Sequence, residues 1–557
     1  MGALVSTLSG FSGVEFDFSP GAQVPLIGTD GQTAATQALS SAAYRDGPVD
    51  ELLKANPETT LTRPKLSIFE PNLGEAFARA VQLRMLGGAR KETVQSFGTD
   101  PQTIVEHCLA ANRIRQARDV RLTVVMGICG LLFLPGVLVW LIAFQLRRSL
   151  AKAEGARAGA LSGLMSTLVG LGALLLIWRP PLHGLGAEYL RAMMVLPVVG
   201  WVIARRICEH TAADLRERWA GLLSGAGVGA QIPEAVPQHP NDERAERIRQ
   251  SFIALASEQN SNIVFYAGPK GILGMGPRWG SWQLAEELVP RGIPEIHPFR
   301  SWDVIKAIQA KLAQLERGPL HTGGFPKPLI RHWVVAPLGE SATEISRPTG
   351  AEIEAFTVKD FELQRICNEQ QFGSGNRHYL GVQFVLWDGQ LVITLLITVT
   401  VLHATLRIEV TGHALGPVHS LFTTKPTPKE KEVSKSVKFW ETKKVQLPLV
   451  EPSEVVRLAA RAPLTWFPPI MDFFGGTLTL PEPFGLRSAW ADKPWKHRFM
   501  SDDALRAATP VLRAVHAAAL SVLEENGADT EHFGTRSLFL SNLVQGVEPR
   551  QADVYEA

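Results

Sequence analysis

Two long apolar runs, at residues 122–146 and 158–178, interrupt the amphipathic pattern of this chain, and neither contains a charged side chain. A helix rises about 1.5 Å per residue, so roughly 20 apolar residues cross ~30 Å of hydrocarbon, and each run predicts a transmembrane helix. Pro135 and Gly136 fall inside the first run and predict a kink, because proline removes a backbone donor. A third apolar segment, 189–204, reaches spanning length only by admitting Arg191. It predicts either a tilted span or a helix lying along the interface.

Around this transmembrane region of 122–206 the pattern divides the chain further. Residues 1–65 are rich in Gly, Ser, Thr, Ala and Pro without sustained periodicity and are expected to be irregular. Residues 66–121 read as a helical stem, with Asn72 and then Asp100-Pro101 as helix starts. Residues 207–240, which include VGAQIPEAVPQHP, read as a linker, and 241–557 as a separate α+β domain. In that domain Asn241 and Ser301 are expected to cap amphipathic helices that alternate with the strands NIVFYAG and PLIRHWVVAP. The strongest β signal is HYLGVQFVLW and QLVITLLITVTVLHATLRIEV joined at Asp388-Gly389, a hairpin mark because the tight turn needs positive φ. A last helix is expected from Thr509-Pro510 to near Gly527. The fold class is therefore α+β: two or three central transmembrane helices and a mixed soluble domain.

Charge and cysteine usage narrow the function classes. Lys and Arg number 56 against 54 Asp and Glu, a net charge of +2 that gives no argument for a nucleic-acid partner. Cys108, Cys129, Cys208 and Cys367 are scattered, so neither a disulfide framework nor a zinc site is expected. The first residues lack a secretory signal pattern, which places the N-terminal part in the cytoplasm. Arg205, Arg206, Arg216 and Arg218 mark the end of the third segment as cytoplasmic too, whereas Arg147, Arg148, Lys152 and Arg157 after the first run point the other way. The expectation is a multi-pass plasma-membrane protein with its soluble parts in the cytoplasm.

No catalytic residue, cofactor site or metal site emerges. The glycine-rich run 268–276 invites a phosphate-loop reading, but its spacing fits neither GxxxxGK[ST] nor GxGxxG, and Pro269 and Pro277 remove amide donors. A plain connection is the alternative. The segment 425–444 carries seven lysines beside Phe439 and Trp440, and Lys429, Lys431, Lys435, Lys438, Phe439 and Trp440 are its candidate membrane or partner contacts, with a solvated loop as the alternative. His378, His403 and His413 lack ligand spacing and read as structural. Trp466, Phe467, Phe473 and Phe474 form an aromatic run that fits either a core or a binding patch.

Several segments together, HCLAANRIRQARDVRL, NIVFYAG with its glycine loop, RHYLGVQFVLWDGQLVITLLI and LEENGADTEHFGTRSLFLSN, resemble a family of actinobacterial membrane proteins of Streptomyces type. The resemblance covers most of the chain from about 100 onward, departs at Pro269 and Lys270, and supplies no catalytic residues. It implies an actinobacterial plasma membrane. The functional expectation is a non-enzymatic anchor or adaptor that docks a cytoplasmic protein partner or assembly at the lipid bilayer, with a phage-tail-like contractile injection system as one client. The alternative is a membrane-bound enzyme or ligand sensor using the loop 268–276.

Overall fold

The computed structural model describes residues 33–62, 67–87, 93–152, 170–181, 183–224, 242–292, 295–316, 325–338, 353–354, 356–369, 375–434, 442–465 and 476–531, apart from a few single positions. Five helices built from its first half form a bundle: α1 Ala34–Ala42, α2 Leu73–Leu86, α3 Pro101–Val125, α4 Leu134–Lys152 and α5 Leu185–Leu223. Thr33 starts α1 by accepting a hydrogen bond from the Thr36 amide, and every residue from Ala35 to Ala42 is buried. This corrects the expectation of irregular chain within 33–62. Ala, Ser and Thr give a weak hydrophobic signal, yet their small side chains suit a helix packed between α3 and α5. Residues 1–32 lie outside the described residues.

The start of α3 follows expectation, with Asp100 Oδ1 accepting from Gln102 N at 3.0 Å and Pro101 in the first turn. Further on, a π turn at Met126–Gly130 and a 3-10 turn at Leu131–Phe133 precede α4. These turns lie just before Pro135, which cannot donate to the Leu131 carbonyl, so the departure from regular helix falls on the turn that proline disturbs. Antiparallel to this pair runs α5. Trp140 Nε1 donates to Met194 O at 3.1 Å. A Cβ on Gly136 would sit 2.0 Å from Met193 O, and one on Gly200 2.6 Å from Cys129 Cβ, so both glycines permit the close helix contact.

Two expectations about α5 need correction. The segment 189–204 is not short but the middle of a 39-residue helix that continues through Pro197. The stretch 207–223, expected to be linker, is the last part of that helix, burying Cys208, Thr211, Leu215, Trp219 and Leu222. That stripe has helical spacing, and the charged residues between its members obscured it. Of 158–178, positions 167 and 170–178 are described and helical, with Leu171, Leu174 and Leu175 exposed.

The second half builds a six-stranded sheet: β1 Ile263–Tyr266, β2 Arg278–Glu287, β3 Leu329–Pro337, β4 Arg377–Leu386, β5 Leu391–Leu402 and β6 Thr405–Leu415. The order is β1-β3-β4-β5-β6-β2, parallel at β1–β3 and antiparallel elsewhere. The predicted β4–β5 hairpin is present, with positive φ at Trp387, Asp388 and Gly389. The long apolar run after it is two strands, not one, divided where Leu402 pairs with Thr405 and His403 takes φ 47°. No Gly or Asn announces that turn. Apolar residues fill β5 because both its faces are covered. Ile393, Leu395 and Ile397 join the core under α7 Ser301–Leu312 and α10 Arg498–Glu525, while Leu396 faces Trp333 on the other side.

Local starts differ from expectation at three helices. Asp242, not Asn241, caps α6 Glu243–Gln259, by accepting from Ala245 N. At α7 the Asp303 carboxylate accepts from Arg300 N, and Ser301 Oγ instead accepts from Val401 N on the sheet. Helix α10 starts eleven residues before Thr509 and passes through Pro510, with Thr509 Oγ1 donating to Leu505 O. Thr-Pro imitates a helix start, but the apolar stripe from Met500 to Leu523 holds one continuous helix against the sheet.

The expectation that 241–557 is a self-contained domain is corrected as well. Val418, Phe422, Leu478, Phe484 and Trp490 are buried with Phe77, Leu39 and Trp219 in the bundle core. Thr93 and Val94 pair in parallel with Phe484 and Gly485. Buried Arg45 of the bundle donates to Phe422 O and Thr424 O. Helix α8 Asp360–Asn368 lies on the sheet, whereas α9 Pro452–Thr465 packs on α3 and α5.

Candidate functional site

The glycine-rich run is the connection from β1 to β2. A 3-10 turn occupies Gly268–Lys270, Tyr266 bridges back to Ile272, and the glycines at 268, 271, 274 and 276 all have positive φ. A Cβ on Gly276 would lie 2.1 Å from Ala414 O and one on Gly274 2.8 Å from Gln95 O. These two glycines serve close packing of the β1–β2 connection, and Lys270 pairs with exposed Glu58 at 2.7 Å.

The lysine-rich segment includes a two-stranded antiparallel hairpin, Glu430–Ser434 with Thr442–Gln446. Lys429 Nζ donates to Leu449 O at 2.8 Å, so it braces the hairpin base. Nearby Arg216 Nη2 donates to Thr427 O and Arg216 Nε pairs with Asp46. Arg216 is twelve residues beyond Ala204, about 18 Å further along α5 at 1.5 Å per residue. Lys431 belongs to the hairpin, while Lys435, Lys438, Phe439 and Trp440 lie outside the described residues, as do Trp466, Phe467, Phe473 and Phe474.

Histidines are placed structurally. His413 Nδ1 lies 3.3 Å from Gly276 O, and His403 forms the β5–β6 turn. His378 Nε2 lies 3.0 Å from His332 Nδ1, an unpredicted pair packed against Trp302, which meets His332 at a tilt and His378 edge-on. Burial, then the His332 ring, pushes His378 down to about 3, and burial, then Lys306, pushes His332 down to about 4. Among the described residues no group of three or more His, Cys, Asp or Glu is placed to hold a metal ion.

The junction between apolar helices and bundle carries the most organised polar cluster. Arg461 of α9, fully buried, donates from Nη2 to Glu75 Oε2 of α2 at 2.6 Å. Arg118 pairs with Asp119 at 2.7 Å, and Thr465 Oγ1 of α9 donates to Asp119 Oδ2 at 2.7 Å. Arg115 Nη2 reaches Ala43 O at 2.7 Å, and Arg457 bridges Glu70 O, Asn72 Oδ1 and Glu454. Burial raises the Glu75 carboxyl, but Arg461, Arg118 and Arg115 together outweigh it and hold it at about 2. Three buried guanidiniums thus share two carboxylates across α2, α3 and α9. The partners that Arg461, Thr465 and Arg115 reach are far off in sequence, so no motif could announce the cluster.

Beside it the apolar helices and α9 line an open cavity of about 350 Å³, with Cys129, Trp140, Pro197 and Trp201 facing Val455 and Ala459 of α9. The apolar stretches themselves are barely covered. Only 11% of the most apolar part of the continuous helix Pro101–Gln145 is buried, and 22% of that in Leu185–Leu223. Leu131, Leu132, Leu138, Ile142, Val198 and Val202 are all exposed. Among the described residues two helices are thus long and apolar enough to cross a membrane.

Comparison with known families adds one relation. Residues 281–552 match the AbeC-like domain. The AbeC-like region opens inside β2 and excludes β1 and the glycine connection, yet contains the lysine-rich hairpin and the whole of α9. Arg457, Arg461 and Thr465 therefore lie in the matched stretch and reach Asn72, Glu75 and Asp119 in the part of the chain that precedes it. No curated protein and no solved structure matches the chain.

Proposed function

We propose that the protein is a non-enzymatic membrane anchor whose AbeC-like region presents a docking surface to a protein partner. One observation carries the membrane part. The helix from Pro101 is buried in the bundle at its start, with Ile104, Val105, Cys108 and Ala111, and bare along its apolar continuation. A core helix of a water-soluble protein would cover those side chains.

The same geometry supports an even number of crossings. The start of α3 and the end of α5 enter one bundle, so they lie on one side and the chain between them crosses an even number of times. Helices α3–α4 and α5 make two. The segment near 170–178 ends where Arg191 Nε donates to Ile177 O, beside the first turns of α5, and is read here as a distal element rather than a third full crossing. Arg113, Arg115, Arg118, Arg121, Arg205, Arg206, Arg216 and Arg218 flank the bundle side, against Arg147, Arg148, Lys152, Arg157 and Arg179 on the other, and this excess favours a cytoplasmic bundle at the plasma membrane.

Support for docking comes from an exposed aromatic patch at the β4–β5 turn. Phe499 is 68% and Trp387 41% exposed, with His497 against both rings. Trp387 holds φ 54°, a conformation that costs a bulky residue about 1 kcal/mol or more, while its Nε1 donates to Asp503. Aromatic side chains fixed at the surface against local strain suit a protein contact. The lysine-rich hairpin is a second contact candidate. Affinity capture from detergent-solubilised membranes, comparing the natural chain with Trp387→Ala, tests the reading. A partner lost with the variant supports it, and an unchanged set of captured proteins contradicts it. Capture of a contractile injection component would identify the client expected from the resemblance.

A further inference from the structure

The cavity at the junction is open on one side and lined almost wholly by apolar side chains. Left unfilled, about 350 Å³ of space would forfeit the contacts that a filling molecule gives this lining. Water has no polar partner among Cys129, Trp140, Pro197, Trp201, Val455 and Ala459 sufficient to hold it, apart from indole N–H groups, and one of these, Trp140 Nε1, is already bonded to Met194 O. The cavity opens at the level of the bare apolar helices. Val198 belongs both to its wall and to the exposed apolar band, at 39% exposure. On the reading that these helices span a bilayer, the medium at the opening is hydrocarbon.

Charge at the bundle end of the cavity selects among lipids. The Arg205 guanidinium lies 5.7 Å from the Trp201 ring that lines the wall and pairs through Nε with Glu209 at 2.9 Å, which leaves its Nη groups and the exposed Arg206 beside it to supply the net positive charge. We propose that the cavity binds one acyl chain of an anionic phospholipid, with its phosphate at Arg205 and Arg206 and its tail between α5 and α9. This proposal rests on the membrane reading above. It makes α9, the AbeC-like helix that closes the cavity, a sensor of the lipid beside it, because the same helix carries Arg461 and Thr465 into the buried ionic cluster.

The test uses the full chain in phosphatidylcholine nanodiscs doped with phosphatidylglycerol that carries a diazirine midway along one acyl chain. After irradiation, labelled residues are mapped by mass spectrometry. Label is expected on Val455, Val456 or Ala460 of α9 as well as on exposed Leu138 and Ile142. Ala460→Trp, which adds bulk at an exposed edge of the cavity, is expected to abolish label on α9 while Leu138 and Ile142 remain labelled. Val456→Trp provides a second filling variant. Neutralising Arg205 and Arg206 to Gln is expected to lower α9 labelling at least about fivefold, from roughly one tenfold step or less per basic residue near an anionic headgroup. Label on the exposed helices with none on α9 overturns the proposal while leaving the membrane reading intact. Label on α9 that persists in both filling variants, or that is equal for phosphatidylcholine and phosphatidylglycerol probes, also overturns it. Absence of label everywhere counts against the membrane reading itself.

Discussion

Arg461 Nη2 meets Glu75 Oε2 at 2.6 Å across 386 residues of sequence, joining the AbeC-like region to the helix that precedes the first apolar stretch. Arg461 is fully buried, so its charge depends on that carboxylate. Removing one partner of a buried pair leaves an uncompensated charge, at about 3–5 kcal/mol, whereas replacing both by apolar residues can be neutral. Glu75→Leu is therefore expected to lower the denaturation midpoint strongly, and Glu75→Leu with Arg461→Met to recover most of the loss. Additive losses in a double-mutant cycle would show that the two side chains act independently.

The shared bundle core makes a second prediction. A fragment limited to the AbeC-like residues 281–552 lacks β1, which pairs with β3, and leaves Phe422, Phe484 and Trp490 without Phe77 and Leu39. It is expected to show no cooperative melt, while the chain from 33 onward in detergent does. A cooperative transition of the fragment, measured by near-UV circular dichroism, would mean that the bundle contacts are dispensable.

How much of this arrangement the sequence displays depends on the range of the signal. The Asp100 cap, the Asp388-Gly389 turn and the apolar run at 122–146 are legible because each needs only neighbouring residues. Helix α1 is not, since Ala and Ser declare their burial only once α3 and α5 surround them. The end of α5 hid behind its exposed arginines, and the β5–β6 turn behind a histidine at positive φ. The α9 contacts with α2 and α3 had no local mark at all. The six lysine-segment candidates show the converse, a conspicuous composition of which the structure describes only Lys429 and the strand containing Lys431.

His332 and His378 give a pH prediction. Both are held neutral, their folded values pushed to about 4 and about 3 from an ordinary value near 6.5, chiefly by burial. A lowered folded value means that the unfolded chain binds protons first. Stability from the neutral pair is thus intact above pH 6.5 and falls as the pH drops from 6.5 through about 4, by up to ~1.4 kcal/mol per pH unit for each ring. Melting of the natural chain against His332→Asn with His378→Asn over pH 4–8 is expected to show a shallower acid decline in the variant. Parallel curves would contradict the assignment.

Trp387 separates stability from docking. Trp387→Gly relieves a left-handed backbone and is expected to stabilise or leave unchanged the isolated protein, within about 1 kcal/mol, because the lost indole contact to Asp503 is exposed. The same variant is expected to weaken partner capture severalfold. Lower stability with undiminished capture would make Trp387 a purely structural residue.

The central claim is that α3–α4 and α5 carry the chain across a membrane and back. Single cysteines at Leu185, 92% exposed at the distal start of α5, and at Glu217, exposed near its bundle end, test it when Cys108, Cys129, Cys208 and Cys367 are replaced. An impermeant maleimide added to intact cells is predicted to label position 185 and to reach position 217 only after the membrane is opened. Equal labelling of both positions in intact cells, before the membrane is opened, would contradict the crossing.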